Sequence, residues 1–322
     1  MINENNELIS VIMSIYNESI IFVKKAVESI LQQTYENIEY IIIIDNPDNY
    51  QVIEYLEEYC VKDSRIKLLI NEFNIGLAKS LNRGIELCRG KYIVRMDADD
   101  ISIKDRIEKQ IKYLKEMNLD MVSSLAYRID EKDNIWGEIK KISDNNNIIM
   151  EKLKYKNVII HPSVIIKTEV IRKLNGYRNF DSAQDYDLWL RMISSGYKIG
   201  VYNEKLIYFR FHKSSITSTK KFSQFINEKY IRKLYKERIE KYGEDSFSDE
   251  NLKKFLQENN YYNENYANYV NYSFSQYRSG VKLIKSKRLL LGSIKILHSI
   301  FINREVWENI YLTIRYKVIK NN

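Results

Sequence analysis

The first hundred residues alternate between two apolar patterns. Leu8–Ile15 and Ile38–Ile44 are nearly unbroken apolar runs of strand length. Between them, Ile20, Val23, Val27, Ile30 and Leu31 recur at helical spacing within 20–33. The same reading predicts strands over Ile66–Ile70 and Lys91–Met96, and helices over Tyr50–Tyr59, Leu77–Cys88 and Arg106–Met117. Strands apolar on both faces, separated by amphipathic helices, imply an α/β chain with a parallel sheet covered on both sides. Right-handed crossovers would bring the strand C-termini to one edge, where open α/β sheets bind ligands.

Beyond residue 118 the pattern is mixed. Short strands are expected over Met121–Ile129, Val158–Ile166 and Lys198–Phe211, with helices near Glu169–Leu174 and Ala183–Ser195. From about 219 onward only Tyr-, Asn- and Lys-rich helical stretches follow, without proline. Ser214, Ser215, Thr217, Ser218 and Thr219 mark a boundary near 215–222. Two regions are therefore expected, 1–218 and 219–322.

Three polar segments fall at the predicted sheet edge: Tyr16-Asn17-Glu18, Asp45-Asn46-Pro47-Asp48 and Asp97-Ala98-Asp99-Asp100. Three carboxylates in four residues repel one another unless a cation or solvent relieves them. Hard oxygen ligands after a strand suit Mg²⁺ or Mn²⁺ with a substrate phosphate, although an acidic loop with a helix cap fits the pattern equally. Asp45 suits either a nucleoside contact or a turn. Asp185 and Asp187 open a helix, as dipole partners or as a general base. His161, His212 and His298 are the three histidines.

Composition changes the picture in one respect. The chain has 51 Lys+Arg against 43 Asp+Glu, a formal +8. Residues 275–322 contain ten of those cations and only Glu305 and Glu308 in opposition, so the body is neutral overall. That placement argues against a nucleic-acid groove through the fold. Within 281–319, Leu283, Leu290, Ile294, Leu297 and Phe301, then Trp307, Ile310, Tyr311, Ile314 and Val318, form apolar stripes among lysines and arginines. Such helices suit an anionic membrane surface, or packing on the first region or on a second subunit as a homodimer. No apolar run reaches the ~20 residues of a membrane span. The polar Met1–Leu8 reads as no signal peptide, and Cys60 and Cys88 read as reduced, structural thiols. A cytoplasmic protein is expected, peripheral at most on the inner face of the membrane.

Taken in order, Ser10–Glu18, Ser29–Tyr35, Asn74–Leu77, Leu81–Ile85, Gly90–Asp100, Arg106, Gln110, His161-Pro162-Ser163, Asn175-Gly176-Tyr177 and Gln184–Arg191 resemble the inverting family-2 glycosyltransferases of the GT-A fold. The likeness spans about residues 8–218 and is nearest to bacterial enzymes of capsule, exopolysaccharide or lipooligosaccharide assembly. It implies a nucleotide half over 1–100 and an acceptor half over 101–218. It further implies a UDP-sugar donor, a saccharide or lipid-linked acceptor, and Mn²⁺ or Mg²⁺ as cofactor. By the same likeness, Asp185 is the base and Asp97, Asp99 and His212 hold the metal. Tyr16, Glu18, Asp45, Asn82, Arg95, Asp97 and His212 meet the donor, Asp45 through its uracil. Three positions depart from the family pattern. Ile44 stands where an acidic residue or Asn often precedes Asp45, Asn46-Pro47-Asp48 replaces an Asp-Gly-Ser turn, and Gln184 replaces a Glu. Competing classes are a nucleotidyltransferase using the same acidic site and a non-catalytic carbohydrate or nucleic-acid binder. G-x-G-x-x-G, P-loop, H-E-x-x-H and G-x-S-x-G motifs are all missing from the sequence.

Overall fold

The computed structural model describes residues 7–143, 145–212 and 221–319. It divides into two compact units, 1–150 with 158–215, and 151–157 with 216–322. The Ser/Thr cluster expected at the boundary lies outside the described residues.

The first unit follows the apolar pattern closely. Its elements are β1 (Ile9–Ile15), α1 (Ile20–Leu31), β2 (Ile38–Ile44), α2 (Tyr50–Lys62), β3 (Ile66–Ile70), α3 (Leu77–Leu87) and β4 (Tyr92–Asp97). Then come β5 (Ile101–Ser102), α4 (Arg106–Glu116), β6 (Met121–Ile129), β7 (Ile135–Glu138), α5 (Asn146–Leu153, whose last three residues belong to the second unit), β8 (Ile165–Lys167), α6 (Thr168–Lys173), α7 (Gln184–Ser194) and β9 (Ile199–Arg210). β1 and β2 are buried along their whole length, as parallel strands sandwiched between helices must be. One sheet runs β3-β2-β1-β4-β8-β6-β9-β5, with β7 paired to β6.

β3, β2, β1 and β4 are mutually parallel. The strand order reverses beside β1, since β2 pairs on one side of it and β4 on the other. Such a switch point opens a crevice at the strand C-termini. Register places Ile15 beside Ile44 and Ser14 beside Asp97, so the loops after β1, β2 and β4 begin side by side.

The other half corrects the expectation in places. β8 is antiparallel to β4 and β6, β5 is antiparallel to β9, and only β6 and β9 run parallel there. The strand expected over Val158–Ile166 is confined to Ile165–Lys167, because His161–Ser163 form a 3₁₀ turn around Pro162. Proline has no N–H to give a central ladder, which forces that turn. Both cysteines are free thiols, and burial pushes the Cys88 thiol up to about 12.

The second unit contains α8 (Lys221–Glu240), α9 (Asp249–Glu258), α10 (Glu264–Lys285), α11 (Leu289–Ile302) and α12 (Arg304–Val318). The apolar stripe from Leu283 to Phe301 does not lie on one helix, because the chain breaks at 286–288. Lys287 takes a positive φ of 64°, and the Lys287 and Arg288 amides cap the carbonyls of Ile284 and Leu283. α10 and α11 then pack against each other through glycine. A Cβ on Gly280 would meet the Gly292 carbonyl at 2.8 Å, and one on Gly292 would meet that of Gly280 at 2.8 Å.

Gly90 sets how β4 enters the sheet. A Cβ there would lie 2.5 Å from the Ser10 nitrogen and 2.8 Å from the Ile9 carbonyl carbon, so the β1 backbone would have to move. Gly90→Ala is expected to destabilise the first unit by about 1–3 kcal/mol. A lower urea midpoint with an unchanged slope would show it.

Candidate active site

The acidic group sits where β4 ends. Oxygens of Asp97, Asp99 and Asp100 lie within 4.8 Å of one another. Burial, reinforced by the neighbouring carboxylates, pushes Asp97 up and Asp100 well above the usual carboxylate range. Asp100 accepts the Arg210 amide at 2.8 Å, while its second oxygen is buried without a partner. Such an oxygen-rich, crowded donor set fits a hard divalent cation.

Residues from the end of β9 close around this group. His212 Nε2 lies 2.8 Å from Asp99 Oδ2, and that pairing raises the imidazole pKa. Arg210 is buried; its Nε donates to the Asp99 carbonyl at 2.6 Å and its Nη1 to the Asp130 carbonyl at 2.7 Å. The same guanidinium pairs with Asp133 at 2.6 Å and lies 4.3 Å over the Phe22 ring. From β4, Arg95 reaches Asp97, leaving its Nε and Nη1 buried without partners.

The first loop adjoins the acids. Glu18 accepts the Tyr16 amide at 2.7 Å, and Tyr16 itself is exposed. Burial, with added repulsion from Asp99 and Asp97, raises the Glu18 carboxyl to about 6. Asn46 Nδ2 donates to Asn17 Oδ1 at 2.7 Å, tying the first loop to the second.

Asp45 is buried, and three protein N–H groups meet its carboxylate. Asn71 Nδ2 and the Ile75 amide reach Oδ1 at 2.7 and 2.9 Å, and the Gly76 amide reaches Oδ2 at 2.9 Å. Gly76 holds a φ of 87°, a conformation open to glycine, as the chain turns into α3. Arg83 on α3 donates to Asn71 Oδ1. Asn82 spends its amide on backbone instead, giving Nδ2 to the Tyr177 carbonyl and taking the Tyr177 amide at Oδ1, both at 2.8 Å.

At the start of α7 the two aspartates part company. Asp185 is partly exposed, and its charge adds to burial in raising the Tyr177 hydroxyl. That hydroxyl lies 2.9 Å from His161 Nε2, whose pKa burial and Arg95 hold well below the ordinary histidine value. Asp187 is fully buried and accepts Arg191 Nε at 2.7 Å. Arg191 donates onward to the carbonyls of Gly176, at 2.7 Å, and Leu174. Asp187 is thus a structural anchor. Asn71, Arg83, Tyr177 and Arg210 were not singled out from sequence. The available signals were Arg83 and Tyr177 within the matching motifs, and a lone arginine in the apolar strand Leu206–Phe211.

A doubly wound parallel half-sheet, an antiparallel partner region and a strand-end acidic group together define a glycosyltransferase of the GT-A fold. The chain belongs to glycosyl transferase family 2, whose sequence model matches residues 10–174. The O-antigen biosynthesis glycosyltransferase WbnJ of Escherichia coli is 35% identical over 211 residues, covering 65% of this chain and 82% of that protein. Escherichia coli WfaP, named a UDP-Glc:alpha-D-GlcNAc-diphosphoundecaprenol beta-1,3-glucosyltransferase, is 32% identical over 230 residues, 70% of this chain and 86% of that one. The structure of S. aureus TarS with UDP-GlcNAc aligns with a TM-score of 0.60 at 16% identity, over 78% of this chain and 70% of that chain. That likeness speaks for the fold alone.

Two outcomes follow. Asp187→Ala strips a buried arginine of its counter-charge and is expected to cost about 3–5 kcal/mol of stability, read by urea denaturation. Glu18 supplies a pH test. Its folded pKa of about 6 exceeds the ordinary 4.5, so it favours the folded state below pH 4.5 and opposes it as pH rises through 6. With chelator present, wild type should lose about 1–2 kcal/mol relative to Glu18→Gln between those pH values, read as diverging melting temperatures.

Proposed function

We propose that the chain is an inverting hexosyl- or N-acetylhexosaminyltransferase. It takes the sugar from a UDP-sugar and delivers it to a saccharide or lipid-linked saccharide acceptor in cell-surface polysaccharide assembly, such as capsule. The observation that carries this reading is the crowded group of Asp97, Asp99 and Asp100, with His212 at 2.8 Å, at the strand-end crevice. The names of WbnJ and WfaP support the pathway class and the lipid-linked acceptor. The reaction would take place on the cytoplasmic side of the membrane.

In this reading Asp97, Asp99 and His212 hold Mn²⁺ or Mg²⁺, which when bound offsets the charge of the departing diphosphate. Asp45 shapes the 71–76 loop and, with Asn71 and Arg83, forms the uracil end of the donor site. Asn82 fixes the Tyr177 backbone beside it. Tyr16 and Glu18 line the nucleotide from the first loop. Arg95 steadies Asp97 and, in this reading, meets the donor through a nitrogen that has no protein partner.

Asp185 takes the proton of the acceptor hydroxyl as that oxygen bonds to the anomeric carbon. The bond from that carbon to the UDP oxygen breaks on the opposite face, and UDP leaves with the electron pair. One displacement inverts the centre, so an α-linked donor gives a β-linkage. Asp185→Asn is expected to lower transfer at least about 10²-fold while UDP binding is retained. Asp99→Ala should weaken Mn²⁺-dependent UDP binding in calorimetry. Transfer at the wild-type rate by Asp185→Asn, or release of pyrophosphate in place of UDP, contradicts the reading.

A further inference from the structure

The second unit displays apolar residues that its own fold leaves outside. On α11, Leu290, Ile294, Leu297 and Phe301 are 76, 54, 54 and 83% exposed. On α12, Trp307, Tyr311, Ile314 and Val318 are 57, 52, 52 and 66% exposed. Both sets follow the same spacing of four, three and four residues, so each is one stripe along its helix. Leu289 and Leu291, also more than half exposed, widen the first stripe. Stripes this apolar mark a surface that another phase or molecule covers.

Charge identifies the cover. Lys282, Lys285, Lys287 and Arg288 are exposed just before α11, and Arg304, Arg315 and Lys317 are exposed on α12. The two acids of this region are spent elsewhere. Glu305 pairs with Lys229 at 3.0 Å, and Glu308 lies 3.6 Å from Lys229 and 3.7 Å from Arg232. Their charge is thus met by α8, and the cations around the stripes are left to dominate the local field. A second copy docked on the same face would bring like charge against like charge. An anionic bilayer offers apolar depth and negative headgroups together. Trp307 and Tyr311 suit the depth between headgroups and acyl chains. No described helix is long and apolar enough to cross a membrane, so contact along the surface is the geometry available.

We infer that α11 and α12 form a docking face for an anionic phospholipid bilayer. None of the donor, metal or base residues contributes to this face. Flotation of the full chain with phosphatidylcholine vesicles, with and without phosphatidylglycerol, tests it. Binding is expected to need phosphatidylglycerol and to fall as salt is added. Lys285→Gln with Arg288→Gln should weaken it at least about tenfold. Leu290→Ser with Leu297→Ser should also weaken it at least about tenfold, with UDP-sugar hydrolysis unchanged because both side chains already face outward. Three results would overturn the inference. They are absence of binding to phosphatidylglycerol vesicles at low salt, binding untouched by both double variants, and a dimer that the leucine variant dissociates in a chain that binds no vesicles. A chain that binds vesicles yet transfers no sugar supports the docking face while sinking the transferase reading.

Discussion

Repulsion among three carboxylates governs the polar architecture of the first unit. Asp97, Asp99 and Asp100 crowd within 4.8 Å at a half-buried strand end, where reduced polarity strengthens every charge interaction. Three buried arginines answer them. Arg95 meets Asp97 directly, Arg210 binds the backbone and neighbours of Asp99 and Asp100, and Arg106 donates to the Arg95 carbonyl at 2.9 Å. Burial in this layer lowers the Arg106 pKa to about 9. β5 has only two residues, yet its pairing with β9 brings Arg210 level with the acids. Much that looks irregular in the sheet is arranged around one electrostatic problem.

Positioning comes from the parallel half, and adjustment from the loops. Because Ser14 pairs with Asp97 and Ile15 with Ile44, the first and second loops inherit their placement from strand register. Asp45 then organises 71–76 with three hydrogen bonds, so a single carboxylate fixes a loop thirty residues away in sequence. The Asp187–Arg191 pair does the same for the turn before α7. Asp185 can remain partly open to its surroundings because its neighbour two residues on carries the structural duty.

Much of this was legible in the chain. β1 to β4 and α1 to α4 are plain because doubly covered strands must be apolar throughout, and their helices must show a helical period. β5 and β7 were invisible for opposite reasons, one being too short to form a pattern and the other lying exposed around Trp136. Pro162 cut short a strand that apolarity alone would extend. Candidate acids were readable from position after strands, but their division of labour was not. Asp185 and Asp187 share a helical turn, and only burial separates them. Arg210 escaped notice because its partner Asp99 lies 111 residues earlier, and no local pattern reports a contact of that range.

The glycine crossing of α10 and α11 has a consequence for how this protein can change. Gly280 and Gly292 bring the two backbones so near that main-chain atoms, with Ile284 and Ile296, make the contact. Its cohesion therefore makes few demands on Leu290, Ile294, Leu297 and Phe301 of α11, which are exposed. Those positions are free to drift in size, charge and greasiness without loosening the pair. The hairpin behaves as a mount whose outer facing can be exchanged, so related chains could be matched to different surroundings while the catalytic unit stays as it is.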